Sequence, residues 1–140
     1  MKDPSQLGLR VVELTDERTP LAAAAFQLIE RAFPRQDRHS VEELRDEVEE
    51  KRLGLLTPYD YHVIAFVGPN DIVPGVVVGV YLAGVNAGFV DYLVVDAEYR
   101  GQRLGHILRD HLSAAFDANA KAAGRESLAA VIGEVREDNP

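Results

Sequence analysis

The alternation of apolar and polar residues divides the chain into segments with two different periods. Apolar side chains recur at helical spacing over residues 21–33, 41–48 and 103–123, and each set forms one face of an amphipathic helix. Runs rich in β-branched and aromatic residues predict strands over residues 7–14, 61–67, 73–85, 89–95 and 128–135. The predicted order of elements is therefore β-α-α-β-β-β-α-β.

Residues at the helix ends support these boundaries. Thr19 followed by Pro20 is typical of a helix start, and Pro34 ends the same helix. Ser40 with Glu43 three residues later is the pattern of a capping box for the second helix.

The three strands between the second and third helices are joined by short turns, so we expect an antiparallel meander. The strand after the third helix should lie parallel to residues 89–95, because a helical crossover joins parallel strands. We therefore predict an α/β arrangement of the α+β type with a mixed, mostly antiparallel sheet. A chain of 140 residues fits a single domain, residues 1–140.

Composition narrows the range of functions. The net charge of −8 argues against non-specific binding to nucleic acid, which needs a positive surface. Cysteine is absent and the four histidines are scattered, so we expect neither a thiol nucleophile nor a metal site. The N-terminus lacks the apolar core of a signal peptide, and no window has the apolar length of a membrane span. We therefore expect a cytoplasmic protein with no membrane partner.

Residues 95–105 carry the clearest chemical signal. An apolar run ending at Val95 leads into a basic turn with Arg100, Gly101 and Arg103, and a helix begins directly after it. The first turn of a helix leaves backbone N–H groups without partners, and the helix dipole adds positive charge there. Arginine adds full charges, and glycine lets a ligand approach the backbone. The pattern predicts a phosphate-binding site.

The segment from residue 89 to residue 111 resembles the coenzyme A motif of the GNAT superfamily of N-acetyltransferases. That motif reads Arg/Gln-x-x-Gly-x-Gly/Ala, and here Arg100 fills the first position and Gly105 the last. Leu93, Val95 and Tyr99 are also similar to the family, and the order of elements agrees over essentially the whole chain. The resemblance implies transfer of an acetyl group from acetyl-coenzyme A to a primary amine of an unidentified acceptor, a small molecule or a peptide.

The resemblance also implies which residues contact acetyl-coenzyme A. The fourth strand and its parallel neighbour splay apart, and the pantetheine chain lies in the gap beside Leu93, Val94 and Val95. A backbone N–H there would stabilise the negative charge that develops on the thioester carbonyl oxygen. The pyrophosphate would lie on the turn and the helix start, at Arg100, Gly101, Gln102, Arg103, Leu104, Gly105 and His106.

Two departures from the family pattern affect these expectations. Arg103 stands where the family has its middle glycine, and because a positive φ is costly for other residues, we expect this position to be helical or bridging. Its side chain could crowd the pyrophosphate or bind it, and we favour tolerated binding because Gly101 and Gly105 remain. The chain also ends before the family's further helix and closing hairpin. We therefore expect a domain that is incomplete at its C-terminus, with an exposed sheet edge that a homodimer would cover.

The reacting amine must lose a proton, so the site needs a base. Two carboxylates are candidates for this catalytic role. Asp91 shares a face with Leu93 and Val95 if the strand is regular, and Glu134 lies near the end of the last strand. His106 is interpreted instead as a helix-start residue near phosphate.

Other polar residues leave alternatives open. Tyr61 and His62 begin the second strand and face opposite sides, and Tyr92 and Tyr99 are interpreted as packing residues. The acidic second helix is interpreted as a solvated face, with an acidic wall for a cationic substrate as the alternative. Two other functions are considered: a non-catalytic acyl-coenzyme A-binding or regulatory module, and one half of a larger assembly.

Overall fold

The structure, a computed structural model, describes residues 4–133 apart from the side chain of Asp37. Within this range the predicted order of helices and strands is confirmed. The helices are α1 (Pro20–Ala32), α2 (Val41–Arg52) and α3 (Leu104–Ala122), and the strands are β1 (Arg10–Glu13), β2 (Asp60–Val67), β3 (Gly75–Leu82), β4 (Ala87–Val95) and β5 (Ala130–Gly133). Positions 134 and 135 of the predicted last strand lie outside the described residues.

Two strands are shorter than predicted because local turns replace their ends. Residues Pro4–Leu7 form a 3-10 helix, so β1 begins only at Arg10. The chain reverses after Leu82, where the N–H groups of Val85 and Asn86 donate to the carbonyls of Leu82 and Ala83.

The predicted helix caps are confirmed. The Thr19 hydroxyl accepts the N–H of Ala22 at 3.2 Å. The Ser40 hydroxyl accepts the N–H of Glu43 at 3.1 Å, and the Glu43 carboxylate accepts the N–H of Ser40 at 3.4 Å. These bonds satisfy N–H groups that would otherwise lack partners, so the starts of α1 and α2 are encoded locally.

The five strands form one sheet in the order β1-β2-β3-β4-β5. The first three pairings are antiparallel, and the pairing of β4 with β5 is parallel, as predicted. The described pairing of β4 with β5 covers only the first half of β4, from Ala87↔Ala130 to Val90↔Gly133.

Helices cover both faces of this sheet and create two hydrophobic clusters. α1 and α2 lie on one face, where Phe26, Ile29, Leu44 and Val48 pack against β2, β3 and β4. α3 lies on the other face, and its buried stripe is Leu104, Leu108, Leu112, Phe116 and Ala120. Among residues 4–133, no helix combines the length and hydropathy that a membrane span requires.

Close contact between α3 and the sheet depends on a glycine in β4. A Cβ built at Gly88 would lie 2.1 Å from Cδ2 of Phe116, whose side chain is fully buried. The absence of a side chain at Gly88 therefore allows the ring to lie directly on the strand.

Candidate active site

The turn between β4 and α3 has a backbone that two left-handed residues bend sharply. Gly101 has φ 83°, and Arg103, the residue before the helix, has φ 62° and ψ 22°. The expectation that Arg103 would be helical or bridging is therefore wrong. The turn requires the left-handed conformation at this position, and the arginine adopts it although its Cβ makes that conformation costly.

The start of α3 presents backbone N–H groups that the described residues do not cap. Arg103 makes no side-chain capping bond, and the first intrahelical bond from this end runs from the N–H of Ile107 to the carbonyl of Arg103. The N–H groups of Leu104, Gly105 and His106 precede it and have no intrahelical acceptor. Together with the helix dipole, they give this end of the helix the character of an anion site.

Two arginines flank these N–H groups. Arg100 is exposed, and its Nε lies 3.4 Å from the carbonyl oxygen of Val95, so its side chain folds back along the end of β4. Arg103 is exposed as well. Both guanidinium groups therefore remain accessible beside the turn, and the positive field at the helix start is stronger than the dipole alone would provide.

One edge of the second half of β4 pairs with β3. The described pairing of the other edge with β5 ends at Val90. The N–H of Asp96 donates to the carbonyl of Pro74 at 2.7 Å, so alternation along the strand turns the backbone of Val94 toward β3 as well. The N–H groups of Leu93 and Val95 consequently face the opposite edge. Of the three predicted cofactor-binding positions on β4, Leu93 and Val95 have their backbone on that edge.

Asp91 is the extra residue of a β-bulge. The register of β4 against β3 shifts between Val78↔Tyr92 and Gly79↔Val90, which leaves Asp91 without a partner. The bulge removes the strict alternation that the sequence analysis assumed. Leu93 and Val95 pack on the α3 face, whereas Tyr92 packs on the α1/α2 face. The charge of Asp91 acts on Tyr61 of that second face, so its predicted common face with Leu93 and Val95 is wrong.

Two acidic side chains meet around a buried tyrosine at this bulge. Partial burial raises the pKa of the Asp91 carboxyl, although solvent still reaches part of the side chain. Glu47 on α2 also has a raised pKa, first because of lost hydration and then because of the negative charges of Glu50 and Asp91. Burial, together with the charges of Asp91 and Glu47, raises the pKa of the Tyr61 hydroxyl. The bulge, the start of β2 and one side of α2 therefore share an acidic environment.

Several sequence-predicted residues lie elsewhere or have a structural role. Glu134 lies outside the described residues. Tyr92 is buried, contacts the ring of Phe33 and accepts the N–H of His39 at 2.7 Å, so it holds the segment before α2 on β4. Tyr99 packs in the α3 cluster beside the turn, in agreement with a packing role. His106 is exposed at the helix start.

Tyr61 and His62 face opposite sides of β2, as predicted. The His62 ring packs on Phe116 below α3 and lies in a network with Glu13 and Asn119, at 3.1 and 2.7 Å. Both ring nitrogens therefore have partners, and His62 is a structural residue away from the bulge.

Sequence reasoning did not select Glu47 as a site residue. A signal was present, because Glu47 flanks the apolar pair Leu44 and Val48 and so lies at the margin of the helix face that packs on the sheet. Its relation to Asp91 depends on the packing of α2 against the sheet, which periodicity does not determine.

The comparisons with known proteins agree with this geometry. The family model described as Acetyltransferase (GNAT) family matches residues 22–139. The chain therefore belongs to this family. Its reaction is the transfer of an acetyl group from acetyl-coenzyme A to an amine, and the acceptor is not identified. Membership also favours the enzyme over the non-catalytic module that the sequence left open.

Solved structures share the fold at low sequence identity. The ribosomal-protein-S18-alanine N-acetyltransferase from Escherichia coli has 20% identity and a TM-score of 0.61, and the match covers 94% of this chain and 69% of that one. Glucosamine-6-phosphate N-acetyltransferase from Arabidopsis thaliana has 16% identity and a TM-score of 0.61, with 93% and 84% covered.

A third structure is an aminoglycoside 6'-N-acetyltransferase complexed with coenzyme A. It has 19% identity and a TM-score of 0.54, and the match covers 79% of this chain and 57% of that one. No curated protein matches the sequence.

Proposed function

We propose that residues 100–106 hold the pyrophosphate of acetyl-coenzyme A. The N–H groups of Leu104, Gly105 and His106 would donate to phosphate oxygens, and Arg100 would supply a full positive charge beside them. Gly101, Gln102 and Arg103 form the turn that brings these groups together. The N-terminal end of α3, which the described residues do not cap, lies next to two accessible arginines and supports this proposal.

The edge of β4 would hold the rest of the donor. The N–H of Val95 faces away from β3, so it can donate to a carbonyl group of the donor as it would to that of a neighbouring strand. At the position of the thioester, such a bond would stabilise the negative charge that develops on the carbonyl oxygen. Val94, whose backbone pairs with β3, would contribute to this site only by holding the strand in place.

We further propose that Asp91 is the general base. An aliphatic amine is protonated at neutral pH, with an ordinary pKa of about 10.4, and must lose a proton before it attacks. Asp91 would accept this proton directly or through a water. The carbon–nitrogen bond then forms and the carbon–sulfur bond breaks. The nitrogen loses a second proton as the amide forms, and this proton neutralises the departing thiolate, which leaves as the thiol of coenzyme A.

The observation that carries this role is the bulge at Asp91, two residues before Leu93. It turns the carboxylate toward the α1/α2 face, and burial there raises its pKa. A carboxylate with a raised pKa is a stronger base than an ordinary one, so the bulge provides both the position and the basicity that proton removal needs.

Kinetics of Asp91→Asn test the catalytic proposal. We expect kcat to fall by about 100-fold, within the range of general base catalysis, while the affinity for acetyl-coenzyme A measured by calorimetry stays within about twofold. Asp110→Asn, an exposed change of the same charge on α3, is the control and should keep full activity. A kcat for Asp91→Asn equal to that of the control would exclude Asp91 as the base.

Other expectations from the sequence stay predictions. They are a single domain over residues 1–140, a role for Glu134 in catalysis, a cytoplasmic location, a homodimer, and a small-molecule or peptide acceptor. Light scattering of the purified protein measures the oligomeric state directly.

A further inference from the structure

The acidic environment around Asp91 contains a carboxylate that the acetyl transfer itself does not need. Glu47 lies on α2, and its charge acts on the Tyr61 hydroxyl together with that of Asp91. Within the described part of the chain, no ion pair joins Glu47 or Asp91 to a cation. The charge of His39 acts on both carboxylates, but the His39 ring is itself paired with Glu43. The charges of Glu47 and Asp91 repel each other, so a bound cation would stabilise both.

The lack of a partner for Glu47 results from how α2 packs. Lys51 lies four residues further along the helix, which is the favourable spacing for an ion pair with Glu47. Instead, the Lys51 ammonium lies 2.8 Å from the Glu13 carboxylate, 3.0 Å from that of Asp60 and 2.7 Å from the carbonyl of Tyr61. Lys51 therefore pairs with Glu13 and Asp60, and Glu47 makes no ion pair with the described residues.

Some neighbouring acidic residues do have partners. On the same helix, Glu43 pairs with His39 at 3.0 Å. Glu17, which is buried, pairs with Arg52 at 2.8 Å. Other carboxylates of α2, such as Glu49 and Glu50, also lack an ion pair within the described residues. Glu47 differs from them because it lies at the margin of the helix face that packs on the sheet, where the charge of Asp91 acts on it.

Tyr61 supplies an independent observation that points to a ligand. The residue is 4% exposed, yet its hydroxyl makes no hydrogen bond to the described residues. Every fully buried polar side-chain atom in that range has a partner, so the Tyr61 oxygen must open into a space that solvent or a ligand can enter. The ring is held in the core with Leu44 and Val48 of α2, and the charges of Asp91 and Glu47 both act on the hydroxyl, which can accept a hydrogen bond from an ammonium.

We infer that the acceptor is an aliphatic amine with a second ammonium group, and that Glu47 and the Tyr61 hydroxyl bind this second group while Asp91 faces the reacting nitrogen. This inference rests on the proposed function, because it takes the bulge as the place of acetyl transfer. A diamine has the required chemistry, and so does a lysine side chain next to another positive charge.

Matched substrates test this inference. Putrescine and n-butylamine have the same carbon chain, but n-butylamine carries a hydrogen where putrescine carries its second ammonium. We expect putrescine to have a kcat/KM at least about tenfold higher, as a charge-assisted hydrogen bond provides. A dipeptide of two lysines, assayed in parallel, distinguishes a free diamine from a peptide as the source of the second ammonium.

Variants of Glu47 and Tyr61 assign the effect to this site. In Glu47→Gln, putrescine should lose about tenfold or more in kcat/KM while n-butylamine changes by less than about twofold. Tyr61→Phe keeps the buried ring but removes the hydroxyl, and it should also reduce the preference for putrescine over n-butylamine. Glu49→Gln removes the same charge from the opposite face of α2 and should leave the preference unchanged.

The possible outcomes separate the two proposals. Equal kcat/KM for putrescine and n-butylamine would overturn this inference and leave the proposed acetyl transfer intact. If neither amine is acetylated, calorimetry of putrescine binding to the protein saturated with coenzyme A decides. Binding that Glu47→Gln abolishes would support the cation site although the catalytic proposal had failed, and absence of binding would overturn both.

Discussion

At Arg103 the left-handed backbone favours glycine, whereas the proposed phosphate site gains charge from the guanidinium. Substitutions at this position can test the two effects separately. With φ 62° Arg103 occupies the left-handed region, where a Cβ costs about 1–2 kcal/mol. Glycine would remove this cost but would lose about 0.5–1 kcal/mol through the greater freedom of the unfolded chain. We therefore expect Arg103→Gly to be about 0.5–1 kcal/mol more stable than Arg103→Ala, which keeps the Cβ.

Urea unfolding of the wild-type protein and these two variants measures this difference. Both variants lack the guanidinium, so their difference in free energy of unfolding reports the strain of the Cβ in the left-handed conformation minus the entropy cost of glycine. In thermal unfolding the same difference would raise Tm by about 2–4 °C, given the size of the chain. Calorimetry should show equal affinity of the two variants for coenzyme A, since the N–H groups of the turn are the same in both.

A result in which Arg103→Gly is no more stable than Arg103→Ala would refute this expectation, because the left-handed strain at position 103 would then not exceed the entropy cost of glycine. A large loss of coenzyme A affinity in both variants would be a separate finding. It would mean that the guanidinium binds a phosphate directly, in contrast to the tolerated binding that we expect.

Three other changes test the rest of the molecule. Arg100→Glu should weaken coenzyme A binding at least about tenfold in calorimetry without changing Tm by more than about 2 °C, because it reverses one exposed charge beside the helix start; unchanged affinity would argue against the phosphate site. Asp91→Asn should be more stable than wild type in urea at pH 7 but not at pH 3, and equal stability at both would contradict the raised pKa. The reason is that the folded state binds the Asp91 proton more tightly than the unfolded state, so wild-type stability falls as pH rises through the folded-state pKa. Gly88→Ala should lose at least about 2 kcal/mol in free energy of unfolding because its Cβ overlaps the Phe116 ring, and a wild-type stability would show that α3 can move away from the sheet.

Much of the fold was predictable because its determinants are local. The starts of α1 and α2 follow from hydroxyl caps at Thr19 and Ser40, whose bonds join residues three positions apart. The order of strands along the chain was predictable from runs of consecutive apolar residues, because such runs are typical of strands whose two faces are both buried in a sheet. The phosphate turn was predictable for the same reason, since Arg100, Gly101 and the helix start are consecutive in the chain.

The acceptor side of the site was less predictable because its residues meet only in the folded chain. A strict two-residue period assigned Asp91 to the face of Leu93, but the bulge depends on how β4 pairs with β3, and one extra residue changes the face. Spacing along α2 would pair Glu47 with Lys51, whereas the packing of the helix on β2 gives that lysine to Glu13 and Asp60.

By itself, the sequence determined the elements, their order and the phosphate-binding turn, because caps, periodicity and consecutive motif residues act over a few positions. The tertiary structure decided the face on which Asp91 lies, the left-handed backbone of Arg103 and the pairing of Lys51 with Glu13 and Asp60 rather than with Glu47. These properties depend on strand register and on competition among distant partners, and such interactions exist only once the helices have packed on the sheet.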